Sequence, residues 1–159
     1  MGQAEAGRLG PDAGDRRSRT ATSPQFYYHS HAEATDEDGH FHTVRLFDAH
    51  TVHVVAISIA TTGWPQALFT TNLWAVGDRY ASPSTVKTYV RHFRLRPPRG
   101  DPRLVRFVNL MFEAYRDEIE WLQDEKERAL LVHRAAQPDR DPFDDRSLEV
   151  LSLRPIDLG

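Results

Sequence analysis

Four of this chain's histidines fall in two alternating patterns, His29-Ser30-His31 and His40-Phe41-His42. Side chains two residues apart on a strand point to one face, so each pair shares a face. The polar run Ala32 to Gly39, ending in Asp38-Gly39, reads as the loop of a hairpin between them. Closed in even register, the hairpin sets His31 opposite His40 and His29 opposite His42, and all four imidazoles lie together. Opposed Cβ atoms are then about 4.5 to 5.5 Å apart. From there three rings can converge on an ion at the about 2.0 to 2.1 Å of a histidine ligand, while the fourth orients water or substrate.

The chain has no cysteine, which excludes disulfides, thiolate ligands and cysteine nucleophiles together. Imidazole with water suits a divalent metal such as iron(II), zinc, copper(II), nickel or manganese, with iron or zinc favoured. Glu33, Asp36, Glu37 and Asp38 on the loop offer a carboxylate to complete two histidines. Zinc would acidify a bound water, whereas iron would open oxygen chemistry with a small-molecule substrate. The alternative is a metal-free module that binds a small ligand or a protein partner, its histidines forming a solvated or hydrogen-bonded sheet face.

His53 opens the next strand and is a candidate to join from the side as a second-shell or pocket residue. Asn72, Trp74 and Tyr28 are candidates for a second shell or a pocket mouth, although Asn72 and Trp74 equally suit a turn. Ser30, Ser58 and Thr43 lack the strand-turn-helix setting of a serine nucleophile. His92 and His133 sit in helical contexts, and His50 in a turn.

These residues need a frame, and the pattern around them is α+β. Strands are expected from Phe26 to His31, Gly39 to Phe47, Val52 to Ala60 and Gln66 to Thr71, the third buried on both faces because its apolar residues alternate little. They form a four- to five-stranded antiparallel meander. Ser82-Pro83 and Asp101-Pro102 are helix starts. Val86, Tyr89, Val90 and Phe93 mark one helix that continues until Pro97-Pro98. Leu104, Val108, Met111, Tyr115, Ile119 and Leu122 mark a second that extends toward Val132. Two C-terminal helices are thus expected on one sheet face. Residues 1–24 read as a disordered leader, 25–136 as a single domain, and 137–159 as a Pro- and Asp-rich loop with a C-terminal edge strand or tail.

A net charge of −3 gives no overall positive field for nucleic acid or an acidic membrane surface. Neither a secretory h-region nor an apolar run long enough for a bilayer is present, so a cytoplasmic protein is expected. The oligomeric state stays open.

The stretch Tyr27-Tyr28-His29-Ser30-His31, then Gly39-His40-Phe41-His42, then Val54 to Ile59, then Leu68-Phe69-Thr70-Thr71-Asn72-Leu73-Trp74 resembles an uncharacterised bacterial family, a domain of unknown function. The likeness covers residues 26 to about 135 and implies a folding unit rather than an activity. Leu73 stands where the family pattern has an arginine; if that arginine binds an anionic substrate, the contact is lost or relocated here.

Overall fold

The computed structural model describes residues 23–30, 36–76, 79–96 and 100–159. Five antiparallel strands form one sheet in sequential order: β1 (Ser23–Ser30), β2 (Glu37–Leu46), β3 (Thr51–Ala60), β4 (Pro65–Thr71) and β5 (Val150–Pro155). The meander is as expected, and the C-terminal segment is a true strand, pairing with β4 from Thr71↔Val150 to Ala67↔Pro155. β3 lies at the centre, buried from Val52 to Ile59. The expected leader lies outside the described residues except for its last two, which open β1. The β3–β4 turn passes through Gly63 at φ 87°, a left-handed conformation that costs glycine nothing because it has no Cβ.

The sequence pattern predicts two helices; the described residues hold four α-helices: α1 (Leu73–Val76), α2 (Pro83–Arg91), α3 (Pro102–Ala114) and α4 (Arg116–Ala136). Ser82 and Asp101 cap α2 and α3 as expected, each side chain accepting a first-turn backbone N–H, with proline following directly. α2 stops at Arg91, ahead of Pro97-Pro98. Phe93 and Leu95 continue as buried non-helical chain, and the Asn109 side chain bonds both the N–H and the carbonyl of Leu95 at 2.8 and 3.0 Å.

The second expected helix is divided in two. Tyr115 leaves helical dihedrals at φ −117°, ψ 29°, although no proline or glycine stands there. The apolar spacing runs on across the joint because both helices serve one core, so periodicity does not mark the break. The break redirects the chain. α3 sets Phe107 against Phe41 of β2, ring centres 5.7 Å apart. α4 instead reaches β3 through Gln123 and β5 through the Leu122 carbonyl, which accepts from Ser152 Oγ at 2.9 Å.

Strand pairing defines two sheet faces. Phe26, Tyr28, Phe41, Val55, Ile57 and Leu68 lie on one, and Phe41, Val55, Ile57 and Leu68 share a buried core with Val86 and Val90 of α2, Val108 and Met111 of α3, and Ile119 and Leu122 of α4. The opposite face carries the histidines. No helix among the described residues is long and apolar enough to cross a membrane.

Candidate metal centre

The hairpin keeps the expected parity but not the expected register. His29 pairs with His40 and Tyr27 with His42, two residues away from the arrangement read from the loop length. Aromatic packing on the core face accounts for the difference. Tyr28 and Phe26 both contact Phe41, at ring separations of 4.8 and 5.9 Å, and anchor β1 in this register. The Tyr28 hydroxyl also donates to Asp38, which helps push its pKa up to about 12, after burial. His31 lies outside the described residues, as does Glu33.

A β-bulge recruits a further histidine. β2 and β3 pair as Thr43↔Val55 and then Val44↔His53, leaving Val54 as an extra residue. In an unbroken strand His53 would share the face of Val55 and Ile57. The bulge turns it to the face of His42.

The result is a row across three strands. The His29 and His40 ring centres are 5.4 Å apart, His40 and His42 4.5 Å, and His42 and His53 5.1 Å. The row runs from the exposed His29 to the buried His40, His42 and His53. At its inner end His42 Nδ1 and His53 Nε2 are 3.0 Å apart. Tyr27 stacks on His42 at 5.0 Å, and Phe69 of β4 presents an edge contact to His40 at 5.3 Å. Glu37 Oε1 stands 2.9 Å from His40 Nδ1. Such a carboxylate fixes an imidazole's tautomer and directs the other nitrogen outward as a ligand.

Burial pushes the His42 pKa down to about 4, and the charges that His40 and His29 would carry push the same way. His53 is held well below the ordinary range, chiefly by burial and then by His42 and Lys126. Both imidazoles are therefore neutral at pH 7, the form that ligates metal. Among the described residues, however, no three His, Asp or Glu side chains are gathered as a ready ligand set. The rings form a row rather than a ring around one point. Two nitrogens meet, and a third histidine stands one ring contact away.

The other sequence candidates separate. Tyr28 is on the core face, where it lines a groove with Phe41, Ile59, Leu104 and Phe107, so it does not adjoin the histidines. Asn72 is fully buried and braces the chain: its Nδ2 donates to the carbonyls of Pro142 and Leu148, both at 2.8 Å, and its Oδ1 accepts from Leu73 N. Trp74 Nε1 donates to the same Leu148 carbonyl at 3.0 Å. These two tie α1 to the segment before β5. Phe69 was reachable from parity, because Phe69 pairs with Ala56 and Ala56 with His42.

An antiparallel five-stranded meander with helices against one face and a histidine row on the other defines a small α+β domain. The chain belongs to a family described as a domain of unknown function (DUF6969), whose family model matches residues 11–156. No curated protein and no solved structure matches it.

Proposed function

We propose that this chain binds a divalent metal ion through His42 and His53, with His40 as the third ligand and the remaining positions open to water or a small-molecule substrate. The observation that carries this reading is the approach of His42 Nδ1 and His53 Nε2 to 3.0 Å across a bulge. Two nitrogens at about 2.0 to 2.1 Å from one ion, in neighbouring tetrahedral or octahedral positions, lie about 2.9 to 3.4 Å apart. The pair already has that spacing. His40 would have to turn toward the pair to serve as the third ligand, with Glu37 as the outer carboxylate that histidine ligands usually have.

Imidazole donors without thiolate suit zinc or iron(II), and the ion would act as a Lewis acid or an oxygen-handling centre. His29, at the exposed end of the row, would serve as the acid or base toward a substrate arriving from solvent.

Metal content of tag-free protein as purified, followed by calorimetric titration with zinc, iron(II), copper(II), nickel and manganese, tests the reading. One ion per chain, lost in His42→Ala and in His53→Ala, supports it. Wild-type protein that carries none of these metals and takes up none removes it. That outcome would leave the second reading, a metal-free ligand-binding or accessory module, which the hydrogen-bonded His42–His53 pair favours because each nitrogen already satisfies the other.

A further inference from the structure

β3 and β4 pair only from Ile59↔Pro65 to Ala56↔Phe69, although β3 begins at Thr51 and β4 runs to Thr71. The two strands therefore part at one end of the sheet, and α4 fills the fork. Gln123 Nε2 donates to the Val54 carbonyl at 2.9 Å, in the place a neighbouring strand would have taken. One turn on, Lys126 is only 6% exposed. Its Nζ donates to Gln123 Oε1 at 3.0 Å and lies 5.3 Å from the centre of the Tyr80 ring. Among the described residues no carboxylate pairs with it, and burial alone lowers its pKa to about 8.

Lys126 lines a cavity of about 20 Å³ together with Thr71, Tyr80, His53, Arg79 and Leu151. Two hydroxyl oxygens in this lining, Thr71 Oγ1 and Tyr80 Oη, are buried with no hydrogen-bond partner among the described residues, and Thr71 as a whole is 8% exposed. Buried polar groups are nearly always satisfied, and leaving one unpaired is destabilising. An ammonium can only donate, and both hydroxyls have a donor to give. Arg79 adds a second positive charge. Donors and cations around a cavity with no described carboxylate call for an acceptor that carries negative charge. A water needs about 10 to 15 Å³ of such space, so the cavity takes an occupant of one or two water volumes and excludes phosphate or sulfate.

We propose that the fork between β3 and β4 binds a small monovalent anion, a halide or the head of a carboxylate, held by Lys126, Tyr80 and Thr71. The site rests on its own residues; only His53 borders both it and the proposed metal centre, so either reading can fail without the other.

The test is thermal unfolding of the full chain at pH 7 and constant ionic strength. Sodium chloride, bromide or formate replaces sodium gluconate, whose anion is too large for the cavity. The wild-type midpoint should climb with the logarithm of chloride concentration once the site is half filled. Tyr80→Phe and Thr71→Val should each weaken apparent affinity about tenfold, as the loss of one hydrogen bond to a charged group implies. Lys126→Met should abolish the dependence. If Lys126→Met does not fold, broadening of the chloride NMR line by wild-type protein, reduced in the two hydroxyl variants, gives the same readout.

Competition by formate assigns a carboxylate head, whereas chloride binding that formate cannot displace assigns a free halide; both sustain the site. A midpoint indifferent to the anion means the cavity holds water only and overturns the proposal, as does a dependence that survives in Lys126→Met. Asp78 lies outside the described residues and is the carboxylate a rival account would use. Anion dependence that appears only in Asp78→Asn would make the chain's own carboxylate the occupant, and the proposal would fail.

Discussion

His42 and His53 meet nitrogen to nitrogen at 3.0 Å because β3 carries one residue more than β2 between Thr43 and Val44. Without Val54 as that extra residue, alternation would aim His53 into the helix-backed core, where an imidazole would displace apolar contacts. The bulge lets Val54 and Val55 both serve the core cluster while His53 turns to the other face. Packing and site thus come from one backbone irregularity.

Glu37 stands 2.9 Å from His40 Nδ1 and is positioned to orient that ring. Glu37→Gln keeps shape and a hydrogen bond but removes the charge. Outer carboxylates of this kind are worth about 10- to 100-fold in metal affinity. The variant should therefore bind zinc or iron(II) more weakly by that factor in calorimetric titration, with the unfolding midpoint of the metal-free protein little changed. Unaltered affinity would place His40 outside the ligand set.

Gly39 is required by contact rather than by dihedral angle. A Cβ there would stand 2.6 Å from the Tyr28 hydroxyl oxygen and closer still to the His29 carbonyl oxygen. The second neighbour is backbone and cannot swing away. Gly39→Ala should cost about 1 to 3 kcal/mol in urea unfolding, the range for overpacking a tight site. Trimming Tyr28 to Ala in the same chain should not restore the loss, because the carbonyl clash remains.

The meander, the doubly buried β3 and the helix starts at Ser82-Pro83 and Asp101-Pro102 were legible because each follows from local chemistry: period, burial and capping. The parity of His29, His40 and His42 was legible for the same reason. Register was not, because it is set by Phe26 and Tyr28 packing on Phe41 across the sheet rather than by loop length. The role of His53 did leave a trace: the core residues of β3 change from even positions, Val52 and Val54, to odd ones, Val55, Ile57 and Ile59, and that change is the mark of a bulge. Gln123 and Lys126 left none, since a charged helix segment reads as a solvated face until the fork it fills is seen.

Lys126 gives the protein a stability that rises with pH. Burial lowers its pKa from 10.5 to about 8, against no carboxylate among the described residues; His53, Thr71, Arg79, Tyr80 and Gln123 are polar groups around it. Between those values the unfolded chain holds a proton the native state has released, so stability must increase with pH across that interval. The full shift corresponds to about 3 kcal/mol as an upper bound. Urea unfolding in a buffer free of small anions should show a gain from pH 8 toward 10.5 that is absent in Lys126→Met. A flat profile in the wild type would mean that Lys126 titrates alike in the native and unfolded states.

The acid limb should belong to Asp145, which joins the end of α4 to the segment before β5. The residue is 1% exposed, and its carboxylate accepts from Ser147 N at 3.0 Å, Ser147 Oγ at 2.7 Å and Arg140 Nη1 at 3.4 Å, with His133 Nε2 at 2.8 Å. The Ser147 and His133 bonds hold its pKa far below the ordinary carboxylate value of 3.8. The native state therefore resists the proton that the unfolded chain accepts. The stabilisation is complete above pH 3.8 and is lost as pH falls below it toward the depressed value. Asp145→Asn keeps the size but loses the charge that His133, Ser147 and Arg140 converge on. It should unfold at lower urea concentration at pH 7, and the gap to wild type should narrow as pH drops below 4. Parallel wild-type and variant profiles down to pH 2 would show that Asp145 titrates alike in both states and that another carboxylate sets the acid limb.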